Sequence, residues 1–256
     1  GPVAAKNTYM FDYTKMDALL TEIMRQQNDS GILKLATLAR TGEGIRYGKY
    51  NESLVTKMYY VQEKLLEYDA ILTWKNSTRR MVNSFIRKHL LKRNSHYPQK
   101  GDKILCLDNN YNYELNYKNI GLYLINGLVG IATEDFEETN YQKINCLNAS
   151  FIPDFLEESK ENTFQVKAYR EIFDMYKYQN FNEKFELDKK QDEEDNGYDM
   201  MTLLDYGYAL TVNKAQGSGF DNVLVIDEYR GGWEGRKKWL YTAITRAKKK
   251  VTIASF

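Results

Sequence analysis

The sequence predicts an α/β fold, in which a parallel sheet flanked by helices is interrupted by a β-rich insert. An apolar run at 71–74 leads directly into a helical pattern, and this strand–helix step is typical of parallel α/β units. Short strands separated by turns begin near residue 101, and the strand–helix alternation returns after residue 200. We therefore expect a discontinuous domain of residues 1–100 and 200–256 around an inserted subdomain of residues 101–199.

The N-terminal part of the chain is predicted to be helical over residues 13–40, where apolar side chains recur at helical spacing. Ser30 is placed to cap the second segment of this region, Ile32–Arg40, because a serine hydroxyl accepts a hydrogen bond from an amide of the first turn. After the strand at 71–74, Asn76 or Ser77 is expected to cap the next helix in the same way.

The insert is predicted to be built from short strands at Lys103–Leu107, Gly121–Ile125 and Thr163–Ala168. Asn126-Gly127 predicts a tight hairpin between Gly121–Ile125 and a strand at Leu128–Thr133, because both turn residues tolerate a positive φ.

The C-terminal part is predicted to contain a strand at Val223–Ile226, a helix at Arg236–Lys248 and a closing strand at Val251–Ala254. Arg246 follows Thr242 by four residues, so the two side chains are expected to share one face of the helix.

Composition excludes several classes of site. The net charge is +1, so any site for a polyanion must be a local patch. The two cysteines and two histidines (Cys106, Cys146, His89 and His96) lack metal-ligand spacing, and we predict no metal ligands in this chain. No apolar run approaches the ~18 residues of a membrane span. We therefore expect a cytoplasmic protein without a membrane partner.

Two polar blocks near the C-terminus combine residue types that bind phosphate. The first, Tyr208–Asp221, reads YALTVNKAQGSGFD and places hydroxyl, amide and ammonium groups beside a glycine-rich turn. The second, Tyr241–Lys248, reads YTAITRAK and carries Arg246, whose guanidinium is always charged and binds phosphate oxygens in pairs. The residues alone leave two structural readings open: a basic helix end that complements the helix dipole, and a capped turn with a solvated lysine.

Together the two blocks resemble the fifth and sixth helicase motifs of superfamily-1 DNA helicases, in the RecD-like and Dda-like branch with a UvrD-type C-terminal helicase domain. A third block, Leu20–Gln26 (LTEIMRQ), is similar to the fourth motif, and Gly101–Leu105 and Asn126–Gly130 are similar to the family's entry into a small SH3-like β-barrel. The resemblance implies that the parallel sheet is a second RecA-like, P-loop-NTPase-type motor domain without a phosphate loop. It also implies that the insert is the barrel.

The resemblance assigns the nucleotide-facing residues. Arg246 would be the arginine finger that reaches the γ-phosphate, a contact worth about 10³–10⁵ in rate, and Arg25 would be a second catalytic phosphate contact. Gln216, Gly217 and Tyr241 would line the nucleotide cleft. The intact enzyme would use ATP and Mg²⁺, with the Mg²⁺ ligands outside this chain, so the chain alone is expected to be inactive as an ATPase.

The resemblance also assigns contacts with single-stranded DNA, to Thr211, Asn213, Lys214, Asn76 and Arg87. For Asn76 and Arg87 the residues leave helix capping and a solvated cation equally open. Two positions depart from the family pattern: Asn213 stands where histidine is common, and Gly219 stands where a glutamate often contacts the nucleotide sugar.

The function implied is the C-terminal motor half of an ATP-dependent DNA helicase. Its partners would be single-stranded DNA and an N-terminal RecA-like domain missing from this chain, and we expect a monomer. The alternative is a non-catalytic helicase remnant that binds nucleic acid or protein. A phosphate loop upstream of residue 3 would favour the motor, and a native start codon there would favour the remnant.

Two further patterns resemble parts of a nucleotide site but lack essential features. Gly42–Lys49 has Glu43 where a phosphate loop needs its first glycine, and Tyr50 follows in place of the metal-binding hydroxyl. Val223–Glu228 looks like a strand that delivers a magnesium-binding aspartate and a catalytic glutamate. Because it directly follows the fifth-motif block, we interpret it as a core strand.

Overall fold

The computed structural model describes residues 30–180 and 200–256. Within these ranges the α-helices are α1 (Gly31–Thr41), α2 (Asn76–Phe85), which continues as a π-helical turn over Ile86–Leu90, α3 (Glu171–Tyr178) and α4 (Trp233–Ile244). The strands are β1 (Gly48–Tyr50), β2 (Ser53–Lys57), β3 (Ala70–Thr73), β4 (Lys103–Cys106), β5 (Asn110–Tyr117), β6 (Ile120–Leu124), β7 (Val129–Ala132), β8 (Glu137–Tyr141), β9 (Ile144–Pro153), β10 (Phe164–Tyr169), β11 (Met201–Thr202), β12 (Leu204–Tyr206), β13 (Ala209–Thr211), β14 (Phe220–Ile226) and β15 (Ala247–Ser255).

The first sheet has six strands in the order β1-β2-β15-β14-β3-β13. All neighbours from β2 to β13 are parallel, and β1 is an antiparallel edge strand. The predicted α/β class with a parallel sheet is therefore confirmed. Strand β3, which precedes the second sheet in the chain, is paired on both sides by strands that follow it.

The second sheet runs β11-β10-β9-β7-β4-β12, with β8 paired to β9, and β5 and β6 form a separate two-stranded hairpin. All its pairs are antiparallel except β10 with β11. The sheet extends past residue 199 because β11 and β12 pair with β10 and β4. Division of the chain into two domains, and closure of the insert as an SH3-like barrel, remain predictions.

Strand alternation sends side chains of the first sheet into two apolar cores. Ile71 and Leu224 face α2 and the second sheet, in a core with Phe151 and Tyr206. Their neighbours along the strands face the other way, in a core shared with α1 and α4. No helix within the described ranges is both long and apolar enough to cross a membrane.

Local capping was predicted correctly at one helix and wrongly at another. Ser30 caps α1 through its hydroxyl, which accepts a hydrogen bond from Leu33 N at 3.1 Å. The part of the predicted helix before residue 30 lies outside the described residues. Neither Asn76 nor Ser77 caps α2, because both lie inside it and Lys75 is the N-cap without a side-chain bond.

Two predicted elements were wrong because tertiary pairing prevails over local preference. Asn126-Gly127 does not close a hairpin, since β6 pairs with β5 while β7 pairs with β4 and β9. The last helix does not run to Lys248, since α4 ends at Ile244 and β15 begins at Ala247 to pair with β14. Arg246 therefore lies in the turn between them.

A buried polar network joins α2 to the end of the second sheet. Arg79 Nη2 lies 2.6 Å from Asp205 Oδ2, and both side chains are almost fully buried. Asn83, which is 0% exposed, donates to Tyr206 O at 2.8 Å and accepts from Ala209 N at 2.8 Å. One side-chain amide thus stabilises the connection between β12 of the second sheet and β13 of the first.

We expect Asn83→Ala to lower the free energy of unfolding by about 2–4 kcal/mol, because it leaves two buried backbone groups unpaired. Met81→Ala is the matched control on the same helix, since Met81 is 50% exposed, and it should change stability by no more than about 0.5 kcal/mol. Urea unfolding of both variants measures the difference. Equal effects would contradict the role of the amide.

Candidate functional site

The predicted site residues fall at two opposite ends of the first sheet. The loop 212–219 leaves the carboxyl end of β13 and enters the amino end of β14. We call Gln216, Gly217, Ser218 and Arg246 the amino-end cluster. We call Asn76, Thr211, Asn213 and Lys214 the carboxyl-end cluster. A single loop therefore carries residues of both clusters.

Arg246 connects the two polar blocks at the amino end. Its Nη1 donates to Ser218 O at 3.2 Å and its Nε donates to Thr242 O at 3.2 Å. Its own carbonyl accepts from Phe220 N at 2.9 Å. Arg246 and Thr242 were predicted to share one face of a helix. Because α4 ends before Arg246, the two residues are joined instead by the hydrogen bond from Arg246 Nε to Thr242 O. The guanidinium is half-buried and is held beside the exposed fifth-motif loop.

The rest of the amino-end cluster is open to solvent. Gln216 and Gly217 are exposed, and Gly217 has φ +88°, a conformation that favours glycine. Tyr241, on α4, is half-buried and packs against the apolar core beneath. Arg25 lies outside the described residues.

Three members of the carboxyl-end cluster lie close to the carboxyl end of β3, namely Thr211, Asn76 and Asn213. Thr211 pairs with Thr73 across the strands, and Val212 N donates to Thr73 O at 3.0 Å. Asn76 begins α2 directly after β3, and Asn213 follows β13; both are exposed. Thr211 is half-buried. Their side chains therefore lie at one end of the sheet, where strands β3 and β13 finish.

Lys214 connects the carboxyl-end cluster to the insert. Its Nζ donates to the carbonyl of Leu107 at 3.2 Å and to Oδ1 of Asn126. Burial lowers the pKa of the Lys214 amine below its usual value, and the nearby Arg79 guanidinium lowers it further. Lys214 is thus a half-buried cation that bridges the two sheets rather than a solvated surface lysine.

Arg87 corrects the sequence prediction of a DNA contact. It is 3% exposed, and its guanidinium donates to Asp102 Oδ2 at 3.1 Å, Ser95 O at 2.8 Å and Tyr97 O at 3.0 Å. It also lies over the ring of Tyr206 at 4.2 Å. All three nitrogens are used inside the protein, so Arg87 belongs to the buried network and does not face a polyanion.

The most informative residue that the sequence reading missed is Glu228. It is 7% exposed and accepts hydrogen bonds from Trp74 N at 2.9 Å and Lys75 N at 3.0 Å. It also accepts from the Thr78 hydroxyl. The available signal was the Asp-Glu pair after an apolar strand, which resembles a magnesium-binding aspartate with a catalytic glutamate and was interpreted as the end of a core strand. Within 30–180 and 200–256, no three His, Cys, Asp or Glu residues are grouped to hold a metal.

The polar blocks match a known family. Residues 206–254 match the model of the UvrD-like helicase C-terminal domain, and this range contains both blocks. The resemblance to a superfamily-1 helicase C-terminal domain is confirmed. We refer to residues 206–254 as the helicase segment.

Other comparisons are more limited. A 50-residue stretch is 46% identical to an uncharacterised protein of Methanocaldococcus jannaschii, which covers 20% of this chain and 4% of that protein. The Pif1 helicase of Candida albicans aligns over 92% of this chain and 55% of its own, at 16% identity and a TM-score of 0.45. Bacteroides Pif1 bound to ssDNA aligns over 90% and 50%, at 12% identity and a TM-score of 0.41. The chain spans about half the length of these two helicases, and at such scores the likeness carries no argument about function.

The lowered pKa of Lys214 predicts a pH dependence of stability. Below the folded-state pKa the amine is charged in both states, and its burial penalty is fully present. As pH rises from that pKa to the ordinary value near ~10.4, the folded state loses its proton first and gains stability. We expect wild type to gain stability relative to Lys214→Met as the pH rises toward the ordinary lysine pKa of ~10.4. Parallel curves from urea unfolding at each pH would contradict this.

Proposed function

We propose that this chain is the second motor domain of an ATP-dependent DNA helicase of the RecD/Dda type, with Arg246 as its arginine finger. The observation that carries the proposal is the hydrogen bond from Arg246 Nη1 to Ser218 O, at 3.2 Å. It joins the two blocks of the helicase segment on one half-exposed surface. A cation held beside a glycine-rich loop is suited to a phosphate group that approaches from outside.

The amino-end cluster would form one wall of a nucleotide cleft. Arg246 would bind oxygens of the terminal phosphate, while Gln216, Gly217 and Tyr241 would line the cleft beside it. Arg25 is proposed as a second phosphate contact on the resemblance alone. Bound Mg-ATP would supply the phosphoryl group whose transfer to water drives the cycle. Its metal ligands and phosphate loop would come from the first, N-terminal RecA-like domain, because the only Gly-Lys pair in this sequence, Gly48-Lys49, lacks the phosphate-loop pattern.

The carboxyl-end cluster would contact the sugar–phosphate backbone of single-stranded DNA. Asn76 and Asn213 offer exposed amides, Thr211 offers a hydroxyl and Lys214 supplies a positive charge at the junction with the insert. Such contacts fix position without reading sequence. We further propose that the insert is an SH3-like barrel and that the protein is a monomer.

A non-catalytic helicase remnant is the competing function. It would keep the carboxyl-end cluster for binding but would have no use for a phosphate-facing arginine. Substitution of Arg246 therefore distinguishes the two.

In a protein that joins this chain to a phosphate-loop domain, we expect Arg246→Ala to lower DNA-stimulated ATP turnover by at least about 10³-fold. Arg246→Lys should recover little, because an ammonium lacks the planar bidentate geometry. Steady-state turnover with saturating oligonucleotide measures both variants.

The matched control is Lys238→Ala, which removes an exposed cation from helix α4, just before the turn that carries Arg246, and should leave turnover unchanged. Normal turnover in Arg246→Ala would contradict the assignment of the finger. An absence of turnover in wild type would favour the remnant.

We expect the chain to bind single-stranded DNA weakly, with an affinity that falls as salt rises. Asn213→Asp should weaken binding, because it places a negative charge beside the phosphates. Asn51→Asp adds the same charge in the β1–β2 turn, at the opposite edge of the sheet, and should have little effect. Fluorescence anisotropy of a labelled oligo(dT) at two salt concentrations measures the affinities. Equal losses would place the DNA elsewhere.

A further inference from the structure

Three aromatic rings connect the carboxyl-end cluster to helix α4. The ring of Trp74, which follows β3, lies 4.4 Å from the ring of Tyr229, which follows β14. Tyr229 lies 5.7 Å from Trp239 of α4, centroid to centroid. We call Trp74, Tyr229 and Trp239 the aromatic relay. One end of the relay adjoins Asn76, and the other lies on the helix that leads to Arg246.

Glu228 fixes the same turn through the backbone. The first amides of a helix lack partners within the helix, and here Glu228 accepts from Trp74 N and Lys75 N just ahead of α2. Glu228 immediately precedes Tyr229, so β14 delivers a carboxyl group and a ring to the turn together. The turn Trp74–Asn76 is therefore held by Glu228 and by the Thr73 hydroxyl, which donates to Lys75 O at 3.3 Å, while α2 has no side-chain cap.

Two glycines leave the room that Tyr229 occupies. A Cβ added to Gly231 would lie 2.6 Å from the Tyr229 ring, and one added to Gly235 would lie 2.3 Å from its hydroxyl oxygen. Real Cβ atoms essentially never show contacts this short, so the tyrosine or the helix would have to shift. Gly235 belongs to the first turn of α4, where alanine is otherwise the better helix former. Gly235 therefore leaves space for the Tyr229 side chain, at some cost to the stability of the helix.

We propose that Glu228 and Tyr229 are positioning residues that make the turn Trp74–Asn76 and helix α4 move as one unit. A displacement of the turn by a bound polynucleotide would then be transmitted through the relay to α4 and to Arg246 at its end. The identity of the ligand rests on the proposed function, but the mechanical connection does not.

The connection is tested in the ligand-free chain by amide hydrogen exchange. Glu228→Gln should speed exchange of Trp74 and Lys75 by on the order of tenfold, because one charged acceptor is lost. Asp227→Asn is the matched control: among the residues that the structure describes, its carboxyl group pairs with Arg236 and not with the turn. Equal exchange of Trp74 and Lys75 in Glu228→Gln and wild type would overturn the role of Glu228.

A substitution on α4 tests transmission across the relay. Gly235→Ala should speed exchange in the turn Trp74–Asn76, although alanine favours the helix. Adding Tyr229→Phe removes the clashing oxygen, leaves the Tyr229 ring carbon at 3.2 Å as the nearest neighbour, and should restore exchange to within about twofold of wild type. An effect of Gly235→Ala confined to α4, or one that Tyr229→Phe does not rescue, would overturn the proposal.

Binding of oligo(dT) by the same variants separates this proposal from the proposed function. If the relay positions the turn for DNA, Gly235→Ala should weaken binding and the double variant should recover it. Wild-type chain that binds no oligo(dT), with the exchange results as expected, would count against the DNA ligand while leaving the mechanical connection supported. Normal binding by Gly235→Ala with a loosened turn would overturn the positioning role.

Discussion

The parallel pairing of β3 with both β13 and β14 is the constraint on which the rest of the structure depends. Strand β3 lies before the second sheet in the chain, whereas its two partners lie after it. The chain must therefore leave the first sheet, build the second and return in register. The buried amide of Asn83 and the Arg79–Asp205 pair stabilise the point of return. Such buried polar groups are costly unless fully paired, so they favour one arrangement of the two sheets.

This return places the amino-end and carboxyl-end clusters at opposite ends of one loop. Because β13 and β14 are parallel, the loop 212–219 must run from the carboxyl ends of the strands to their amino ends. Its first residues meet the turn after β3, and its last meet Arg246. Residues suited to a polynucleotide and residues suited to a nucleotide are thus separated by a few peptide units. The aromatic relay provides a second connection between the same two ends, through side chains rather than backbone.

Sequence reasoning succeeded where the controlling interactions were local. The hydroxyl of Ser30 caps the helix that immediately follows it, and the apolar runs at β3 and β14 are strands because both of their faces are buried. The helicase segment was identified because its blocks are contiguous in sequence.

The failures share one physical cause, which is a partner distant in sequence. Arg87 looks like a solvated cation until Asp102 and the carbonyls of Ser95 and Tyr97 surround it. The helix expected to reach Lys248 ends early because β15 pairs with β14. Glu228 resembles a catalytic glutamate in the sequence, but in the fold it binds amides more than 150 residues earlier in the chain. Nothing near these residues in the sequence indicates such partners.

The central claim is that Arg246 faces the phosphate that is transferred. Affinity for ADP–aluminium fluoride, compared with affinity for ADP, tests it most directly, because the fluoride complex mimics the phosphoryl group in transfer and ADP lacks it. In a protein that joins this chain to a phosphate-loop domain, Arg246→Ala should weaken ADP–aluminium fluoride binding by at least about 10²-fold while ADP affinity stays unchanged. Equal affinities of wild type and Arg246→Ala for the fluoride complex would contradict the account.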